Sequence, residues 1–131
     1  MEIKREIASS ITKAFGHYPV VTITGPRQSG KTTLAKKLFP DKPYKTLEHP
    51  RTRAIAERDP EAFLAEFPEG AVLDEVQRVP DLLSYIQGIV DDKGKNGLFV
   101  LTGSSNLLLM KNVTQTLAGR CAIFTLPRSC A

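Results

Sequence analysis

Val20-Val21-Thr22-Ile23-Thr24, Gly25-Pro26-Arg27-Gln28-Ser29-Gly30-Lys31-Thr32 and Thr33-Leu34-Ala35-Lys36-Lys37-Leu38-Phe39 follow one another without a break. The first segment is a β-branched run that reads as a buried strand, and the third, with Leu34 and Leu38 four apart, reads as a helix. Between them the spacing is G-x-x-x-x-G-K-[ST], the pattern of a phosphate-binding loop. Its glycines let the backbone curl so that successive N–H groups point inward as a nest for phosphate oxygens. The helix N-terminus adds partial positive charge at the same place. Residues Gly25 to Thr33 are therefore expected to hold a nucleotide. Lys31 would reach the β- and γ-phosphates, and the Thr32 hydroxyl would ligate Mg²⁺.

Working outward, the 131 residues make one domain at most. A hydrophobic fraction of 41% and a charged fraction of 24% are ordinary for a soluble globular chain. No apolar run approaches the roughly 20 residues of a membrane span. The segment Met1-Glu2-Ile3-Lys4-Arg5-Glu6 lacks the apolar core of a signal peptide, so the chain is expected in the cytoplasm. Cys121 and Cys130 stand without a Cys-x-x-Cys pair or a nearby histidine, which argues against a disulfide framework or a zinc site. The net charge of +4 comes from scattered residues such as Lys36, Lys37, Arg51, Arg53, Lys93 and Lys95. Charge so spread reads as a solvated surface rather than a nucleic-acid footprint.

Ile3, Ile7 and Ile11 recur every four residues, so residues 2 to 15 are predicted to form an amphipathic helix closed by Gly16. After the loop helix, Tyr44-Lys45-Thr46-Leu47 reads as a short strand and Glu48-His49-Pro50 as a turn. Arg51 to Arg58 is helix-compatible; Asp59-Pro60 restarts a helix, with Asp as N-cap and Pro at the first position. Ala71-Val72-Leu73-Asp74-Glu75-Val76-Gln77 reads as a buried strand opening onto two acids. Leu82 to Val90 is a further amphipathic helix, and Leu98-Phe99-Val100-Leu101-Thr102 a further apolar strand. Leu107 to Lys111 and Thr114 to Ala118 read as two short helical pieces, and Ala122 to Leu126 as a last strand. Five apolar strands alternating with helices describe a mainly parallel α/β sheet covered on both faces and preceded by an N-terminal helix.

In open α/β sheets ligands bind at the carboxyl ends of the strands. Asp74, at the end of a strand placed beside the loop strand, would hold Mg²⁺ opposite Thr32. Strand alternation would turn Glu75 to the other side, toward an attacking water, as general base. Thr102, Ser104, Ser105 and Asn106 offer polar side chains at the next strand end, where one would sense the γ-phosphate. Arg120, just before the last strand, is weighed as an arginine finger on a neighbouring subunit against a plain surface charge. Gln77 reads as a turn residue before it reads as a water-positioning one.

Four segments, Gly25-Pro26-Arg27-Gln28-Ser29-Gly30-Lys31-Thr32-Thr33-Leu34, Leu73-Asp74-Glu75-Val76-Gln77, Leu101-Thr102-Gly103-Ser104-Ser105 and Leu117-Ala118-Gly119-Arg120, together resemble the prokaryotic AAA-like P-loop ATPases. Leu47-Glu48-His49-Pro50 and Asp59 to Leu64 share the likeness. The resemblance implies Walker A at Lys31 and Thr32, Walker B at Asp74 and Glu75, a sensor at Ser104 and a finger at Arg120. Full-length members continue into a lid and a C-terminal domain of unknown function, so residues 1–131 are expected to be the N-terminal core alone.

The expected activity is ATP hydrolysis to ADP and phosphate with Mg²⁺, catalysed through Lys31, Glu75, Ser104 and Arg120. The alternative is a nucleotide-binding switch without significant turnover, acting on a protein or DNA partner. A small-molecule kinase is less well matched, because a base beside the metal ligand suits water activation. A finger role for Arg120, the one of its two readings that involves a neighbouring subunit, would imply a homo-oligomer, and no membrane association is expected.

Overall fold

The computed structural model describes residues 2–26, 30–104 and 106–127, and the side chains from residue 5 onward within those stretches. Helix α1 (Glu2–Phe15) comes first, and Ile11 is fully buried on its inner face. Strand β1 (Val20–Thr24) has every residue buried, as its β-branched run requires. Helix α2 (Lys31–Leu38) begins at Lys31, two residues earlier than the apolar spacing alone suggested. The turn before it is carried by Gly30 in the left-handed region (φ 85°), which glycine adopts without steric penalty.

The chain continues through β2 (Tyr44–Thr46), α3 (Pro50–Arg58), α4 (Pro60–Ala65), β3 (Val72–Asp74), α5 (Leu82–Lys93), β4 (Phe99–Gly103), α6 (Leu107–Thr116) and β5 (Cys121–Thr125). Both short middle helices start on a side-chain cap followed by proline. His49 Nδ1 accepts from the Arg51 N–H at 3.2 Å, and Asp59 Oδ1 accepts from the Ala62 N–H at 3.1 Å. His49, expected to be a plain loop residue, is thus the cap of α3. The two helical pieces expected between residues 107 and 118 are one helix, α6. Leu109, Val113 and Leu117, spaced by four, all go into the core, and that burial outweighs the weak helix preference of the intervening Asn112 and Thr114.

The sheet is wholly parallel, in the order β2-β3-β4-β1-β5. Its two faces carry separate apolar clusters. Val21, Ile23, Val72 and Val100 pack with Ile11, Leu34, Ala35 and Phe39 under α1 and α2. Leu73, Phe99 and Leu101 pack on the other face with Phe63, Leu64, Leu83, Ile86 and Val113 from α4, α5 and α6. All carboxyl ends of the strands therefore open on one edge, and β1 delivers the glycine loop there between β4 and β5.

Candidate functional site

Strand β3 is not the neighbour of β1, contrary to the expected adjacency of their ends. Strand β4 lies between them, pairing Ile23 with Thr102 on one side and Leu73 with Leu101 on the other. Thr102 fills the gap so created: its hydroxyl donates to Asp74 Oδ1 and accepts from the Glu75 N–H at 3.3 Å. The Thr32 hydroxyl donates to the same Oδ1 at 2.9 Å, and the Tyr44 hydroxyl donates to Oδ2 at 2.9 Å. Two motifs 42 residues apart in sequence thus meet through one buried carboxylate. Burial of Asp74 opposes its charge, but the bonds from Thr102, Tyr44, Thr32 and Thr46 outweigh it and hold the carboxyl below its ordinary value. Tyr44 responds in the opposite sense; its burial, with the bond to Asp74, raises its phenol well above the usual tyrosine value.

Lys31 is only 5% exposed and lies at the first turn of α2, where the backbone N–H groups have no partner within the helix. Its Nζ is 3.6 Å from Glu75 Oε2. Glu75 lies just beyond the end of β3. The strand ends at Asp74, and Glu75 takes the left-handed conformation (φ 59°), the one non-glycine residue with positive φ among those described. That turn brings both acids toward the same loop, Asp74 onto Thr32 and Glu75 onto Lys31. A cleft of about 310 Å³ opens here, lined by Lys31, Glu48, Glu75, Gln77, Arg78 and Ser104. Across it Arg78 and Glu48 pair at 3.1 Å. A larger hollow of about 450 Å³ lies on the outer helices around Ser84, Tyr85 and Ile89, and it holds none of the motif residues.

Among the residues expected at the site, the structure brings together Lys31, Thr32, Asp74, Glu75 and Ser104. Gly25 continues the β1–β4 ladder, its N–H bonding the Gly103 carbonyl at 3.3 Å, and Pro26 follows it half-buried. Gly30 starts α2, and Thr33 is exposed on its first turn. Arg27, Gln28, Ser29 and Ser105 lie outside the described residues, as does Cys130. Of the other residues weighed as sensors, Thr102 is fully buried beneath the acids, and Asn106 Oδ1 caps α6 by accepting from the Leu109 N–H at 2.7 Å. Arg120 is not brought to the cleft. Its carbonyl accepts from the N–H of Val20 at the start of β1, so it lies at the opposite edge of the sheet. There its guanidinium forks onto Asp91 at 2.7 and 3.0 Å.

Tyr44, Glu48 and Arg78 escaped the sequence reading. Tyr44 joins the site only because β2 pairs with β3, which no local pattern announces. Cys121, half-buried with Sγ 3.0 Å from the Thr22 hydroxyl, has its thiol pushed up to about 11 by burial, which favours the protonated form.

The donor set at Thr32 and Asp74, a hydroxyl and a carboxylate oxygen 2.9 Å apart, matches the preference of Mg²⁺ for hard oxygen ligands. No group of three or more His, Cys, Asp or Glu side chains able to hold a metal occurs among the described residues. Among the described residues no helix is long and apolar enough to cross a membrane.

A family model described as an AAA domain matches residues 17–129. The uncharacterized proteins Mb2031c of Mycobacterium bovis and Rv2008c of Mycobacterium tuberculosis are each 34% identical over 125 residues, covering 94% of this chain. The chain spans only 28% of the length of these relatives. Among solved structures, the DnaC helicase loader superposes with a TM-score of 0.61 at 15% identity, over 95% of this chain and 90% of that one. Cdc6p from Pyrobaculum aerophilum gives 0.59 at 17% identity, over 94% and 44%. At those identities the likeness is one of fold alone.

Proposed function

Because the chain belongs to the AAA domain family, we propose that its Lys31–Asp74 cleft binds ATP with Mg²⁺ and hydrolyses it to ADP and phosphate. The observation that carries this reading is the 2.9 Å bond from the Thr32 hydroxyl to Asp74 Oδ1, which unites the glycine loop and the acidic strand end at one point. The first-turn amides of α2 and the Lys31 ammonium would bind the phosphate oxygens. Thr32 and Asp74 would hold Mg²⁺, which when bound neutralises phosphate charge. Glu75 would take a proton from water as the water oxygen bonds to the γ-phosphorus and the bond to the bridging oxygen breaks. Ser104, which lines the cleft just beyond β4, would contact the γ-phosphate.

Lys31→Ala should abolish Mg·ATP binding measured by calorimetry, whereas Glu75→Gln should keep binding and lose phosphate release. Parental affinity in Lys31→Ala would show that the site is wrongly placed.

A second reading, a nucleotide-dependent switch for a protein or DNA partner, is favoured by the engagement of Glu75 with Lys31. It requires measurable ATP binding with phosphate release at background. Arg120, at the far edge of the sheet, serves a nucleotide only on a neighbouring copy of the chain, in a homo-oligomer.

A further inference from the structure

Gln77 has no part in the reading above, yet it holds the group on which that reading turns. Its Nε2 donates to Glu75 Oε1 at 2.6 Å, while the other carboxylate oxygen faces Lys31 Nζ at 3.6 Å. The carboxylate is gripped between a neutral donor and a buried cation. The left-handed turn at Glu75 leads directly into the 3-10 turn Val76–Arg78, which carries Gln77 back over Glu75. Gln77 Oε1 is buried and has no hydrogen-bond partner among the described residues. Turning the amide over would set that oxygen against the Glu75 carboxylate, so the unpartnered oxygen is the consequence of aiming the donor at Glu75.

Space for this side chain is made on the neighbouring strand. A Cβ at Gly103 would stand 2.6 Å from Gln77 Oε1 and 2.6 Å from Leu109 Cδ2. The glycine at the end of β4 therefore accommodates Gln77 and ties its position to the strand that also carries Thr102 and Ser104.

Resting on the reading of Lys31 as the phosphate-binding cation and Glu75 as the water-activating base, we propose that Gln77 is the positioning residue of the site. It latches Glu75 onto Lys31, where the carboxylate competes with an incoming phosphate for the same ammonium. Two anions cannot each have the full attraction of one buried cation, so nucleotide binding must loosen the Glu75 contact. Gln77 determines how much work that takes.

The test is calorimetric titration of the full 131-residue chain with ADP, which keeps turnover out of the measurement. Gln77→Met, with the donor removed and the length kept, should bind ADP roughly threefold to tenfold more tightly than the parent. Glu75→Gln should tighten binding at least as much. Adding Gln77→Met to Glu75→Gln should then change nothing further, because Gln77 acts only through the carboxylate. The thermal midpoint of Gln77→Met should match or exceed the parent's, since the buried unpartnered oxygen goes with the amide. A merely structural glutamine would instead show a lowered midpoint and no gain in affinity. Gln77→Leu, a second way of removing the donor, must agree. Parental ADP affinity in Gln77→Met together with loss of ADP binding in Lys31→Ala overturns the latch and leaves the site standing. Parental affinity in Lys31→Ala removes both.

Discussion

Asp74 is held by hydroxyls that come from three different segments: Thr32 at the start of α2, Tyr44 and Thr46 on β2, and Thr102 on β4. Because its carboxyl is held below the ordinary aspartate value of about 3.8, the fold prefers the charged form. The stability this contributes is fully present above the ordinary value and is lost as pH falls through the lower, folded-state value. Thermal midpoints of the parent and Asp74→Asn, taken in EDTA, should therefore differ most at neutral pH. The parent's lead should shrink below about pH 4; a lead independent of pH would mean that the charge on Asp74 is not what these hydroxyls stabilise. Lys31, Thr32 and Asp74 were legible in the sequence because each belongs to a short motif with its own strand or helix context. The facing of Glu75 was not. Its approach to Lys31 depends on the turn that follows the end of β3 at Asp74, which strand alternation does not describe.

Among the elements, those with a local cause were the easiest to read. Helix α4 starts where Asp59 and Pro60 say it should, with Phe63 and Leu64 buried as its apolar face. Removing the cap in Asp59→Ala should cost about 1 kcal/mol. In a domain of this size that lowers the thermal midpoint by roughly 3–5 °C, with nucleotide affinity unchanged. A midpoint equal to the parent's would mean that Asp59 is not the cap. His49 does the same work for α3 and was missed, because histidine is outside the usual set of capping residues. Helix α6 reads as two pieces in the sequence because Asn112 and Val113, both weak helix formers, lie between Lys111 and Thr114. Its continuity comes from Leu109, Val113 and Leu117 docking into the core on the α4–α5 side of the sheet, a contribution that propensity does not contain.

Across the whole molecule the sheet has an edge that carries the Lys31–Asp74 cleft and an opposite edge, and Arg120 belongs to the second. Strand β1 runs the full width between them, so a single chain cannot bring Arg120 to its own Lys31 without dismantling the sheet. If Arg120 contributes to turnover from a neighbouring copy, phosphate release per chain should rise with protein concentration, and Arg120→Ala should abolish that rise. Turnover per chain that is flat with concentration would assign Arg120 to its bond with Asp91 alone. The class of fold, the phosphate loop, the acidic strand end and most element boundaries were determined by the sequence itself. Their causes are local: hydrophobic period, caps, glycines at sharp turns and the chemistry of a short motif. The strand order β2-β3-β4-β1-β5 was decided only by the tertiary structure. With it came the insertion of Thr102 between the two motifs, the recruitment of Tyr44 and the grip of Gln77 on Glu75. Each of these joins segments through a backbone register or a turn that no residue pattern encodes alone, because which strands lie side by side depends on how all five share one core.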